Sequence, residues 1–317
     1  MTNGSDKRRV GIEIEFGNID FETAKAAIAA TLDVAPAAVS EFEVDFATSN
    51  TEWPYRLEVD WELLKALGRT DGGPLDELRR HTADALGSLS ENWVPLELVT
   101  PPLSRRDFAQ VQALCDGLAS AGALGTQSSV LAAYGTHFNP EIPDPTASTV
   151  LAHLRAFIAL QHWIVVTQEI DLSRRATRYA ALFDRGFEAL VLRPDYRPDW
   201  TQLIVDYIEH NPTRNRALDL LPVFAHVDEP LLRRRIDDPR IKSRPTYHYR
   251  LSDCRIGEPA WTIDKPWRCW LEVERLAGDA DRLDTLARAR LDYLGKAPLR
   301  AASEQWIQQC QTAVDAP

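Results

Sequence analysis

The sequence has no run of about 18 apolar residues, the length a helix needs to cross a bilayer, so no transmembrane helix and no membrane partner are expected. Its start, MTNGSDKRRV, lacks the apolar stretch of a secretory signal. Cysteine is scarce. Cys115, Cys254, Cys269 and Cys310 are scattered, with no CxxC pair, which argues against a structural zinc site or a disulfide framework. They read as reduced thiols, in keeping with a cytoplasmic protein, and no local signature marks one as a nucleophile. No long basic stripe is present and the net charge is −11, which argues against a general nucleic-acid binder. Repeats and low-complexity tracts are also missing.

What is present is a chain of 317 residues with 44% apolar content, enough to bury a substantial core. Residues 8–140 alternate strand-like and helix-like segments, 146–235 read mostly as helix, 246–256 return to strand, and 267–313 are helical again. A strand that returns this late predicts one sheet closed by a distant part of the chain. Ser104 and Asp107 form a capping-box pattern ahead of Phe108, Val111, Leu114 and Leu118. Leu151, Leu154, Phe157, Leu160 and Trp163 recur at helical spacing and read as core.

The strands carry most of the chemical information. In Val10–Gly17, Val10, Ile12, Ile14 and Phe16 alternate with Gly11, Glu13, Glu15 and Gly17. Successive strand side chains point to opposite faces, so one face is apolar and the other sets Glu13 beside Glu15. Glu41, Glu43 and Asp45 alternate with Phe42, Val44 and Phe46. Glu58, Asp60 and Glu62 alternate with Leu57, Val59 and Trp61, and Glu97 lies between Leu96 and Leu98. The run ending Tyr134-Gly-Thr-His-Phe-Asn139 puts His137 and Asn139 on one face, and Thr246–Leu251 does the same for His248 and Arg250.

An antiparallel sheet with one solvated face shows such alternation without any site. The sign of the charge weakens that explanation. Nine acids fall on the polar faces of the four early strands with no Lys or Arg among them, Arg56 sitting at one edge. Like charges directly opposite are destabilising and raise one another's pKa unless cations neutralise them. Hard divalent ions prefer such oxygens, and Mg²⁺ binds carboxylates together with phosphates. His137 can add a ring nitrogen.

In that order, Gly11-Ile-Glu-Ile-Glu-Phe16, Leu96-Glu-Leu-Val-Thr-Pro-Pro-Leu103, Gly135-Thr-His-Phe-Asn139 and Arg244-Pro-Thr-Tyr-His-Tyr-Arg250 resemble the putative amidoligase family, of the glutamine synthetase/glutamate–cysteine ligase superfamily. The resemblance runs from about residue 9 to 256. It implies an α+β fold, a curved antiparallel sheet forming an open funnel with helices on its outer face. The domain plan it implies is a disordered 1–8, a catalytic domain 9–260 with a helical insertion at 146–235, and C-terminal helices 261–317 that close the core or bind a partner.

The implied activity is ATP-dependent amide-bond formation through an acyl phosphate, with Mg²⁺ or Mn²⁺ and with small-molecule or peptide carboxylate and amine substrates. Residue by residue, Glu13 and Glu15 match the paired metal acids, Asp60 an acid of the second hairpin and Glu97 the acid before the Thr-Pro-Pro turn. His137 matches a metal- or phosphate-contacting histidine, and Arg250 the late-strand arginine that contacts transferred phosphate. His248 stands where related ligases carry an acid, so it serves either a weaker metal site or substrate and phosphate. Arg244, Lys242, Arg255 and Asn139 are further candidates for holding nucleotide or a substrate carboxylate. Arg174, Arg175, Arg178 and the polar stretch Asn211–Arg216 are weaker ones. Two rival readings share the acidic faces, a metal-dependent phosphodiesterase or nuclease and a non-catalytic nucleotide- or metal-binding relative.

Overall fold

A computed structural model describes residues 8–60, 94–126, 134–170, 180–296 and 304–316. Trp61, Glu62, Arg174, Arg175, Arg178 and the segments 1–7 and 131–133 lie outside the described residues. The class is α+β with an open antiparallel sheet. The chain divides into two compact units, Met1–Phe138 with Ser252–Ile263, and Asn139–Leu251 with Asp264–Pro317.

The first unit contains β1 (Val10–Phe16), β2 (Ala37–Ser40), β3 (Glu43–Phe46), β4 (Tyr55–Val59) and β5 (Leu96–Val99). The first part of β6 (Gly135–Pro140) and the end of β8 (His248–Asp253) also belong to it. The strand order here is β2-β3-β4-β5-β1-β6-β8. The alternation dictates which face is buried: Ile12, Ile14, Phe16, Val44, Phe46, Leu57, Val59, Leu96 and Leu98 are all in the core. Helices Phe21–Leu32 and Phe108–Ser120 supply Ile28, Leu32, Phe108, Val111, Leu114 and Leu118 to the same core. Burying each such side chain stabilises the fold by roughly 1.5–3 kcal/mol. The second of these helices follows the expected cap: the Asp107 carboxylate accepts from Ser104 N at 2.9 Å and from Ser104 Oγ at 2.8 Å.

Two strands were not expected. All four residues of β2 are exposed, so it carries no buried alternating face to read. The other, β7 (Leu218–Asp219), is two residues long and sits in a segment expected to be helical. Glu41 lies outside β3 and is exposed, so it does not join the strand's polar face.

A tight junction closes this unit. Gly125 N donates to Ile256 O at 3.1 Å and Thr126 N to Cys254 O at 2.8 Å. A Cβ at Gly125 would collide with the Cys254 carbonyl, a backbone atom that cannot rotate away. Gly125→Ala is therefore expected to cost about 1–3 kcal/mol, the range for overpacking, read as a lower urea midpoint at unchanged slope.

The second unit is built on the helix Ala147–Thr167, with Arg185–Val191, Trp200–His210, Leu221–Arg233, Asp264–Ala277, Ala280–Lys296 and Glu304–Asp315 around it. The strand order in this unit is β6-β8-β7. The central helix has the length, and a mean hydropathy of 1.4, to cross a membrane, contrary to the expectation that no segment would pass that test. Its apolar stretch is 83% buried inside the protein, and it carries the buried polar residues His153, Arg155, Gln161 and His162, so it serves as the core helix of this unit. Tyr247, just before β8, and Tyr249 on it are buried and pack on Trp270 at centroid distances of 5.3 and 5.6 Å. That leaves His248 and Arg250 on the opposite face of the strand. The C-terminal helices close this core through Leu283, Leu286, Leu294, Trp306 and Cys310.

Candidate functional site

The strand register turns the acidic faces into an ordered array. Glu43 lies opposite Glu58, Glu58 opposite Glu97, and Glu97 opposite Glu15. Four carboxylates thus form one transverse row over β3, β4, β5 and β1. The neighbouring row reads Asp45, Arg56, Val99, Glu13. Directly opposed side chains on one face stand about 5 Å apart at Cβ, so the acids of the first row feel one another strongly.

Each end of the array has a cation or a candidate cation. Arg56 shares the face of Glu58 and binds Glu43 at 2.5 Å and Asp45 at 2.8 Å. This corrects the expectation of an acid face free of Arg, because Arg56 is part of it and neutralises the β3 end. At the other end, His137 on β6 places Nδ1 3.1 Å from Glu13 Oε2 and Nε2 3.4 Å from Glu15 Oε1. A ring that donates to one of these carboxylates can offer its other nitrogen to a cation. Glu15 is further held by Gly135 N, which donates to its Oε2 at 2.5 Å.

The middle of the row is less relieved. Burial pushes the Glu97 carboxyl well above the ordinary carboxylate range, and Glu13, Asp60, Glu15 and Glu58 push it further the same way. Glu58 is raised too, by burial first and then by Glu43, with Arg56 opposing. Donor atoms of Glu15, Glu97 and His137 lie within 4.8 Å of one another, a spacing that one metal ion can span. Asp60 follows β4, with its N donating to Pro95 O at 2.9 Å, and its charge reaches Glu97.

In the second unit, β7 pairs with β8 so that Asp219 stands opposite His248. Directly paired residues share a face, which gathers Asp219, His248 and Arg250 on one side. Asp219 is almost fully buried, and its Oδ1 accepts from Leu221 N at 2.9 Å. Burial pushes its pKa up to about 6, against the opposing pull of the Leu221 amide and of Arg250, Arg214 and Arg244. Arg244 Nη2 lies 3.4 Å from His248 Nδ1, and Arg250 Nη1 donates to Arg214 O at 3.4 Å. If Arg244 donates to Nδ1, the neutral His248 carries its proton on Nε2.

A family model described as a putative amidoligase enzyme matches residues 6–272. The chain belongs to this family. No curated protein and no solved structure matched it.

Within this amidoligase-family chain, the residues singled out from sequence fall in two places. Glu13, Glu15, Asp60, Glu97 and His137 are in the first unit, and His137 and Glu97 are each linked there to the neighbouring acids as described. His248, Arg244 and Arg250 gather around Asp219 in the second. Asn139 is buried on β6, Lys242 is exposed, and Arg255 lies in the first unit, 3.8 Å from Asp253 and 3.7 Å from Glu258. Asp219 was missed, although a lone acid inside the apolar run Ala217–Val223 was a legible signal. Arg214 was covered only as part of a polar stretch.

All four cysteines are buried and none is in a disulfide. Burial raises the thiol pKa values, that of Cys269 to about 11 and that of Cys310 to about 12, and that of Cys115 well above its usual 9.0. Thiols held this far from ionisation are poor nucleophiles.

Proposed function

We propose that this chain is an ATP-dependent carboxylate–amine ligase, working through an acyl phosphate, on a sheet of the glutamine synthetase/glutamate–cysteine ligase kind. The observation that carries the reading is the carboxylate row Glu43, Glu58, Glu97, Glu15, crowded in its middle and flanked by His137. A fold does not keep opposed acids on neighbouring strands without a counter-charge, and strained electrostatics of this kind mark functional sites. Membership of the amidoligase family supports the reaction class.

The donor set fits a divalent cation. Carboxylate oxygens suit Mg²⁺ or Mn²⁺, and one imidazole beside them is compatible with either. Glu15, Glu97 and His137 would hold the ion, with Glu13 and Asp60 adding charge. When bound, the ion neutralises phosphate charge on the nucleotide. Arg250 is the residue that stabilises charge on the transferring phosphoryl oxygens, the role a fixed guanidinium serves best.

The reaction is two displacements. A substrate carboxylate oxygen attacks the γ-phosphorus, the bond to the bridging oxygen breaks and ADP leaves. An amine nitrogen then attacks the acyl carbon, the carbon–oxygen bond to phosphate breaks, and the amine gives up a proton as the amide forms. The substrates are small-molecule or peptide acids and amines. The buried thiols and the ATP requirement are in keeping with a cytoplasmic enzyme.

The test offers the protein MgATP, a panel of carboxylic acids, and hydroxylamine as a universal amine. A working acyl phosphate is expected to give hydroxamate and ADP in equal amounts with at least one acid. MgATP binding without either product across the panel would favour the non-catalytic relative, a reading that His248 in place of an acid keeps in play.

A further inference from the structure

The stretch from Ala217 to Val223 is buried throughout, and all of it is apolar except Asp219, which is 1% exposed. A carboxylate in such a place is costly unless its oxygens are satisfied. One of them is: Oδ1 accepts from Leu221 N at 2.9 Å. An asparagine would serve that contact equally well, so it does not account for the charge. Among the described residues, the other oxygen accepts no hydrogen bond, and no Lys, Arg or His nitrogen lies within ion-pair distance of the carboxylate. The fold thus keeps a buried acid in the second unit with one oxygen uncommitted.

The β7–β8 register sets Asp219 directly opposite His248, on the strand face that also carries Arg250. On the other side stands Tyr207 of the helix Trp200–His210. Its hydroxyl donates to Leu218 O at 3.0 Å and accepts from Leu220 N at 3.3 Å, so its proton is not offered to Asp219. Arg250, Arg214 and Arg244 favour the ionised carboxylate from beyond ion-pair distance, yet burial outweighs them and holds its pKa at about 6. A buried carboxylate with an open oxygen and a pKa near neutrality suits a proton acceptor.

Amide formation needs such a group. Ammonia and alkyl amines stand in neutral water as ammonium ions, with no lone pair for attack at carbon. We infer that Asp219 is a catalytic residue that binds the second substrate as its ammonium and takes a proton from it, so that this substrate is ammonia or a primary amine arriving protonated. The inference deepens the ligase reading and rests on it. The ammonium gives one proton to the uncommitted oxygen of Asp219. The freed nitrogen lone pair forms the bond to the acyl carbon, the carbon–oxygen bond to phosphate breaks, and the departing phosphate takes the second proton. Asp219 returns its own proton to water before the next turnover. In the ligase reading Arg250 contacts the phosphoryl group, which puts the amine and the acyl phosphate on one side of β8.

The test compares nitrogen nucleophiles on the full chain, with MgATP and an acid that gives hydroxamate with the wild type. Hydroxylamine is largely unprotonated at neutral pH and attacks without a base, whereas ammonia, methylamine and lysine are present as ammonium ions. Asp219→Asn is expected to lower amide formation from these three by roughly hundredfold or more, and hydroxamate formation by less than about threefold. Asp195→Asn, at an exposed acid paired with Arg193 at 2.6 Å, is expected to change neither. A thermal melt of each variant establishes folding. If the Asn variant does not fold, Asp219→Glu, which keeps a displaced carboxylate, carries the test with the same split at smaller size. Equal loss of amide and hydroxamate would make Asp219 a structural or positioning residue and overturns the inference, as does amide formation within about twofold of wild type. A wild type that gives hydroxamate but no amide from any of the three also overturns it, and leaves the ligase reading standing. A wild type that gives neither product overturns the ligase reading, and the inference falls with it.

Discussion

Glu97→Gln is expected to do two opposite things: abolish divalent-cation binding and raise the melting temperature of the metal-free protein at neutral pH. The amide keeps the shape of the side chain and removes a charge from the most crowded point of the row, where Glu58 and Glu15 lie directly opposite on either side. The pH dependence follows from the direction of the shift. The Glu97 carboxyl is held above its ordinary value of 4.5 in the folded chain. Below that value both folded and unfolded states are protonated, and the wild type and Glu97→Gln differ little on this account. As pH rises, the unfolded chain releases its proton first and the folded chain holds on, so wild-type stability falls until the folded pKa is passed. The variant escapes that loss, and the gap opens as the pH rises past the ordinary value of 4.5. Each pH unit between the unfolded and folded pKa costs the wild type about 1.4 kcal/mol, and each kcal/mol is worth a few degrees in melting temperature. Scanning fluorimetry across that pH range, with EDTA and then with Mg²⁺ or Mn²⁺, reads both effects. A variant that is less stable than wild type at pH 8 in EDTA, or that is still stabilised by the cation, would show that the row is an ordinary solvated face.

Arg290→Ala is expected to destabilise the second unit by about 3–5 kcal/mol, the range for stranding one partner of a buried ion pair. Arg290 is fully buried, with Nε 2.8 Å from Glu188 Oε2 and Nη2 3.2 Å from Oε1. Gln161 Nε2 donates to the same Oε1 at 2.8 Å, and the guanidinium lies 5.2 Å from the Tyr293 ring and 5.1 Å from the Trp306 ring. One side chain thus links the helices Ala147–Thr167, Arg185–Val191, Ala280–Lys296 and Glu304–Asp315. Its loss leaves Glu188 without its guanidinium, held only by Gln161 and by His162, whose Nε2 lies 3.7 Å from Oε1. A drop of roughly 6–15 °C in melting temperature is expected for the single variant. The pair Arg290→Met with Glu188→Leu is expected to recover much of it, since apolar replacement of a whole buried pair is often close to neutral. A single variant within 2 °C of wild type would mean that water or another group compensates Glu188.

The faces of the early strands were legible because burial has a period of two. Ile12, Ile14 and Phe16 had to go inside, which fixed where Glu13 and Glu15 point. What the alternation cannot supply is register. Whether Glu97 sits opposite Glu15 or opposite Glu13 depends on the pairing of β5 with β1, across 79 intervening residues (96 − 16 − 1) that periodicity does not constrain. The part played by Arg56 was hidden for the same reason, since its salt bridges with Glu43 and Asp45 follow from the β3–β4 register. Asp219 stood out as a lone acid in an apolar run, but its pairing with β8 was hidden, because a two-residue strand shows no alternation. Arg290 could not be singled out either. A lone arginine on an amphipathic helix reads as solvated until the partner helix with Glu188 is known.

The most direct test of the central claim is calorimetric titration of ATP into the purified chain with and without Mg²⁺. The account predicts saturable binding that requires Mg²⁺ and is lost in Glu97→Gln. Binding of equal affinity in EDTA, or no binding in either condition, would contradict a metal–nucleotide site on the carboxylate row.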